Sequence, residues 1–151
     1  MSRLDQLYQD MILEHNKNPR QFGVPASASH ASHGVNPLCG DDYWVYLNVD
    51  EHAVIQDVHF HGTGCAISKS SGSMMSQAVK GRPVSEVLEM KEAFIGMLTS
   101  KTEDPSFKEK VGKLKLFEGV KKFPVRVKCA TLVWRALEDA LQTHSGNATT
   151  E

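Results

Sequence analysis

Three cysteines are all that the 151 residues hold, and no two of them form a Cys-x-x-Cys pair. An odd number cannot close into a complete disulfide framework, so this is not a disulfide-stapled secreted domain. In a reducing compartment such thiols serve as metal ligands or do chemistry. No apolar run approaches the roughly 18 residues that a membrane span needs. The N-terminal segment interrupts its apolar residues with Asp5, Asp10 and Glu14, so no secretory signal is expected and the cytoplasm is the expected compartment. Charge of either sign is not in excess, with a formal net charge of −1, which argues against a general polyanion binder. No repeat and no linker-like stretch marks a second domain. With 40% hydrophobic and 23% charged residues, the chain reads as one globular domain over 1–143, followed by a disordered polar tail over 144–151.

Leu4, Leu7, Tyr8, Met11 and Ile12 recur at helical spacing, and Ser2 with Asp5 resembles a capping box, so a helix is predicted over 3–16. Pro19 and Gly23 end it. Residues 24–38 read as loop with a short edge strand near 33–35. Tyr43, Trp44, Val45, Tyr46 and Leu47 predict a strand over 42–49, turning through Asp50, Glu51 and His52 into a second strand over 54–61. After Gly62 and Gly64 the period changes, and Ile67, Ser71, Met74, Met75, Ala78 and Val79 predict a helix closed by Gly81 and Pro83. Val87, Leu88, Met90, Phe94, Met97 and Leu98 predict one or two short helices, and 101–115 reads as an exposed insertion. Leu132, Val133, Ala136, Leu137, Ala140 and Leu141 form the stripe of a last helix over 130–142. The fold class is α+β, a small antiparallel sheet with helices on one face.

Cys39 lies in Cys39-Gly40-Asp41, just before the first strand, where i and i+2 side chains point the same way. Cys65 follows 26 residues later, at the strand-to-helix transition, and Cys129 another 64 residues on, at the predicted start of the last helix. Helix N-termini stabilise thiolates. Cys39, Asp41, Cys65 and Cys129 together give three thiolates and one carboxylate, the four donors that zinc takes tetrahedrally. Arg126 and Lys128 could offset the negative charge of such a site. Spacing alone leaves open that the cysteines are small buried apolar groups, and Cys129 does fall on an apolar stripe.

Other candidates are weaker. His59 and His61 share a strand face with Asp57, and His30 and His33 precede Cys39; the first pair reads as the solvent side of a half-buried hairpin. Met74 and Met75 read as core. Residues 101–128 hold nine Lys or Arg against four Asp or Glu, a solvated face or a dock for an acidic partner surface. No nucleic-acid module and no Cys-His hydrolase arrangement surrounds them.

Cys39-Gly40-Asp41, Gly62-Thr63-Gly64-Cys65-Ala66-Ile67-Ser68 and Arg126-Val127-Lys128-Cys129-Ala130-Thr131-Leu132-Val133-Trp134 resemble the motifs of the IscU/NifU-like iron–sulfur assembly family. Glu14-His15, Asn18-Pro19-Arg20 and Gly23 match as well, and no chemistry is assigned to His15. The likeness runs from residue 4 to 142 and is nearest to the zinc-containing SufU branch. Scaffolds of the IscU type carry His before the third Cys and a Leu-Pro-Pro-Val-Lys segment that recruits a chaperone. Here Lys128 holds the first place and the second is absent, while the long Cys65 to Cys129 interval matches the SufU pattern.

The resemblance implies a zinc-dependent sulfurtransferase that takes persulfide sulfur from a SufS-type cysteine desulfurase. That partner is a pyridoxal-phosphate enzyme, and the cofactor belongs to it. A downstream iron–sulfur assembly complex would receive the sulfur, with no nucleic acid or membrane as partner. Cys39, in a loop followed by Gly40, is the expected acceptor because it can leave the metal at least conformational cost. The resemblance further implies that a desulfurase histidine replaces it on the zinc. The alternatives are a scaffold holding a transient [2Fe–2S] cluster on the same ligands, and a structural zinc domain that only activates its partner.

Overall fold

A computed structural model describes residues 3–100, 105–143 and 145–149. In chain order the elements are α1 (Arg3–Lys17), β1 (His30–Asn36), β2 (Asp41–Val49), β3 (Ile55–Thr63), α2 (Ala66–Val79), α3 (Val84–Thr99), α4 (Pro105–Val111), a 3-10 segment (Gly112–Val120), α5 (Pro124–Thr143) and β4 (Ser145–Thr149). The sheet order is β3-β2-β1-β4, with the first three antiparallel and β4 parallel to β1. The predicted α+β class, helices against one face of a small antiparallel sheet, is the observed one.

Strand alternation decides the two faces. Tyr43, Val45 and Leu47 of β2 and Val58 and Phe60 of β3 are buried against the helices. Asp57, His59 and His61 lie on the opposite face of β3 with partial or full exposure, as the hairpin reading expected. Asp50 holds the turn between these strands, because its Oδ1 accepts the backbone N–H of His52 at 2.8 Å and of Val54 at 3.0 Å.

Four expectations need correction. The strand near 33–35 extends over His30–Asn36 and is internal, paired on both sides. Its inward residues are Ser32, Gly34 and Asn36, small or polar, because α5 crosses so close that a Cβ on Gly34 would sit 3.1 Å from Leu132 Cδ1. Strand propensity could not reveal a strand selected for smallness. Residues 84–99 make a single helix, α3. The predicted insertion is structured over its described part: Val111, Leu114, Phe117 and Val120 are all buried. Their spacing of three is the 3-10 period, which a search for 3.6 passes over. Residues 101–104, and Ser2 of the suggested capping box, lie outside the described residues. The last helix begins at Pro124, six residues before its predicted start, with proline in the first-turn position that needs no backbone donor.

The tail reading is corrected in part as well. Ser145–Thr149 adds a strand to the edge of β1 through backbone pairing; 144, 150 and 151 lie outside the described residues. No helix among the described residues is long and apolar enough to cross a membrane.

The centre of the core is Trp134 of α5, stacked on Phe94 of α3 with ring centroids 5.0 Å apart, and Phe117 set edge-on to Phe94 at 5.7 Å. Helix α2 is lined with serines on its buried sides. Their hydroxyls are bonded internally, Ser71 Oγ to Ala130 O at 2.6 Å and Ser76 Oγ to Ser73 O at 2.7 Å, so their burial leaves no orphan donor. At Gly72 a Cβ would lie 2.7 Å from the Phe60 ring, which makes glycine the condition for α2 to reach β3.

Candidate metal centre

Two loops and a helix converge where β1 ends, β3 ends and α5 begins. The first joins Asn36 to Asp41, two residues that face each other across the β1–β2 pair. Gly40 takes φ +73° there, a left-handed conformation that L side chains disfavour. Cys39 is carried on this loop and is exposed. Asp41, first residue of β2, is buried, and it is held from both sides. Its Oδ1 accepts the backbone N–H of Cys65 at 2.9 Å and the hydroxyl of Ser68 at 3.1 Å. Its Oδ2 accepts the Asn36 amide at 3.3 Å.

The second loop is Gly62-Thr63-Gly64-Cys65. A Cβ on Gly62 would fall 2.0 Å from the Asp42 carbonyl oxygen, and one on Gly64 would fall 2.5 Å from Asp41 Oδ1. The glycines are therefore what let the carboxylate meet the α2 N-terminus. Cys65 caps that helix, its Sγ accepting the Ser68 N–H at 3.4 Å. A hydrogen bond from the Cys129 thiol and the Ser68 donors bring the Cys65 pKa down to about 6, against burial and the nearby Asp41 charge, which act to raise it.

Cys129 does not stand at a helix start, as its sequence position suggested. It lies in the second turn of α5, 2% exposed. Its bond to Cys65, its burial and its contacts with Asp41 and Cys39 push its pKa up.

The donor atoms of Cys39, Asp41 and Cys129 lie within 4.8 Å of one another. Cys65 is outside that set of three and joins the centre through Cys129. Three of the four expected ligands are therefore gathered directly, and the fourth adjoins them. Two or three soft sulfurs with one carboxylate oxygen fit a borderline ion with tetrahedral preference. Arg126 is exposed, and its guanidinium lies over the Phe123 ring at 4.4 Å; Lys128 is half-buried beside Cys129.

The histidine alternatives do not reach this cluster. His33 Nε2 pairs with Asp42 Oδ1 at 2.6 Å and its ring stacks on Trp44 at 4.9 Å. His59 Nδ1 lies 3.3 Å from Asp57 Oδ2. His15 has a structural part instead: Ser73 Oγ accepts the Arg20 N–H at 2.8 Å, so its proton is free for His15 Nδ1, 2.6 Å away. Sequence reading missed Asn36, Ser68 and Tyr43. Tyr43 OH lies 3.4 Å from Ser68 Oγ, and burial pushes its own pKa up to about 12. Ser68 had a signal, its place three residues after the helix cap.

Residues 7–147 match the family described as NifU-like N terminal domain. The chain is similar to the zinc-dependent sulfurtransferase SufU of Bacillus subtilis (strain 168), 40% identical over 145 residues covering 96% of each. It is also similar to the iron-sulfur cluster assembly scaffold protein IscU of Streptococcus pyogenes serotype M1, 39% identical over 148 residues, 98% of this chain and 90% of that one. A solved structure, the putative iron-sulfur cluster assembly scaffold protein for the SUF system from Fervidobacterium islandicum AW-1, superposes with a TM-score of 0.82 at 34% identity, over 90% of this chain and 97% of that one. With its fold, its cysteine cluster and these relatives in agreement, the chain belongs to the NifU-like N-terminal domain family of iron–sulfur assembly proteins, in the group that holds SufU and IscU.

Proposed function

We propose that the protein is a zinc-dependent sulfur acceptor and carrier, a sulfurtransferase that takes persulfide sulfur from a SufS-type cysteine desulfurase and passes it to an iron–sulfur assembly complex. The observation that carries this reading is the asymmetry of the cluster, in which Cys39 is exposed on a loop while Cys129 is buried in a helix. Cys39, Asp41, Cys65 and Cys129 would hold the ion, and the donor set suits it. Bound there, zinc would keep the sulfurs as thiolates and mask Cys39 from adventitious oxidants.

Cys39 is the proposed acceptor. Its thiolate attacks the outer sulfur of the donor persulfide, R–S–SH. An S–S bond forms at Cys39, the donor's S–S bond breaks, the donor leaves as R–S⁻, and the proton stays on the transferred sulfur. Asp41, Cys65 and Cys129 stay in place because strand, helix cap and helix interior fix them. Free thiols suit the reducing cytoplasm, the compartment we assign.

The scaffold reading, with the same ligands holding a transient [2Fe–2S] cluster, draws its support from the IscU relatives of similar identity. Metal analysis of anaerobically purified protein separates the two. One zinc per chain with neither iron nor acid-labile sulfide is expected; stoichiometric iron and sulfide would instead favour the scaffold.

A further inference from the structure

Asn36 touches three of the four expected ligands, Cys39, Asp41 and Cys129. It is the last residue of β1 and fully buried. Its backbone carbonyl accepts the N–H of Cys39 at 3.2 Å and of Gly40 at 2.9 Å, which folds the loop carrying Cys39 back onto the strand end. Its side-chain Nδ2 donates to Asp41 Oδ2 at 3.3 Å and to Cys129 Sγ at 3.6 Å. Its Oδ1 is buried with no partner among the described residues. The reversed amide would set that oxygen against the Asp41 carboxylate, so the charge of Asp41 selects the donating orientation even at the cost of an orphan acceptor.

The three sulfurs differ in what they accept. Cys65 Sγ takes the Ser68 N–H and Cys129 Sγ takes the Asn36 amide, whereas no N–H donates to Cys39 Sγ among the described residues. A donor on a thiolate draws charge from it and fixes its direction, which favours a lasting ligand and disfavours a nucleophile. We propose that Asn36 is a positioning and specificity-determining residue: by donating to Asp41 and Cys129 while its carbonyl ties down the Cys39 loop, it assembles the metal centre and leaves Cys39 as the thiol that takes sulfur. The choice of thiol rests on the sulfur-acceptor reading above, and the assembly of the metal centre does not.

The test uses Asn36→Leu and Asn36→Asp in the full chain. Both are close to Asn in size and neither donates as the amide does; the Asp variant, nearest in shape, serves if the Leu variant does not fold. Far-UV circular dichroism of chelator-treated protein establishes folding. Zinc affinity, measured by competition with a chromophoric chelator, is expected to fall about 10- to 100-fold, and the sulfur-to-metal bands of the cobalt(II) form to shift. After incubation with desulfurase and cysteine, peptide mass spectrometry is expected to find sulfur on Cys129 as well as Cys39. Unchanged affinity and unchanged cobalt bands in a folded variant would overturn the positioning role. Sulfur still confined to Cys39 would overturn the selectivity. If the wild-type chain takes no sulfur on Cys39, the sulfur-acceptor reading falls and the metal measurements still decide Asn36.

Discussion

The backbone N–H of Cys65 donates to Asp41 Oδ1 at 2.9 Å, so a carboxylate at the start of one strand is clamped to a helix cap 24 residues further along the chain. The Ser68 hydroxyl engages the same oxygen. The only N–H that Oδ2 meets among the described residues is that of the Asn36 amide, so Oδ2 is the oxygen we expect to turn toward an ion.

Asp41→Ala therefore has two separable effects. In the metal-free protein it strips the Cys65 N–H and the Ser68 hydroxyl of their acceptor, worth about 1–3 kcal/mol of stability. In the loaded protein zinc is retained on the sulfurs with affinity lowered by about tenfold or more, ~1.4 kcal/mol, and sulfur transfer falls. Chelator competition and chemical denaturation measure the two parts; wild-type affinity together with wild-type transfer rate would remove Asp41 from the site.

Zinc should hold three distant parts of the chain together. Structural zinc can contribute about 10–16 kcal/mol of apparent binding energy at neutral pH. Cys65→Ser and Cys129→Ser are each expected to lose the metal and to melt well below the wild type, and chelator should lower the wild-type Tm in the same direction. Full zinc content in both variants would overturn the ligand assignment.

Acid should weaken the fold through His15. Burial, with the Arg20 and Lys113 charges adding to it and Glu14 opposing, holds its pKa below the ordinary 6.5. The Ser73 hydroxyl donates to a ring nitrogen that must be unprotonated to accept. The unfolded chain takes up the proton first, so the full stability is present above about pH 6.5 and is lost as pH falls below it toward the folded value. His15→Gln should flatten the dependence of Tm on pH between about 7.5 and 5.5; an equally steep profile would assign the acid sensitivity elsewhere.

Phe117 tests the segment that helical periodicity did not reveal. It is fully buried and edge-on to Phe94, so Phe117→Ala should cost about 3–5 kcal/mol, while exposed Lys115→Ala should stay within about 0.5 kcal/mol. Urea titration distinguishes them, and equal small effects would mean that 112–120 is not part of the core.

How much of this was legible depended on which physical signal each part uses. The hairpin, α1, α2 and the apolar stripe of α5 follow from period and propensity. β1 was under-read because Ser32, Gly34 and Asn36 were selected to fit beneath α5, and the 3-10 segment because its period is three. The candidate ligands could be proposed from residue type and motif, and the structure gathers the donor atoms of Cys39, Asp41 and Cys129 within 4.8 Å of one another. What could not be named was the frame around them: Asn36 lies in the sequence as an ordinary loop residue before proline, and its reach to Asp41 and Cys129 exists only when β1, β2 and α5 meet. Cys129 was placed at a helix start rather than within the helix because the start was read from the apolar stripe alone, and Pro124, which opens α5, lies ahead of that stripe.

The most direct test of the account is the location of transferred sulfur. The wild-type protein is incubated anaerobically with a cysteine desulfurase and cysteine, alkylated, digested and analysed by peptide mass spectrometry. The added sulfur is expected on the peptide carrying Cys39, and Cys39→Ser is expected to abolish multiple-turnover stimulation of the desulfurase. Sulfur on Cys65 or Cys129 with Cys39 unmodified, or full stimulation by Cys39→Ser, would contradict the account.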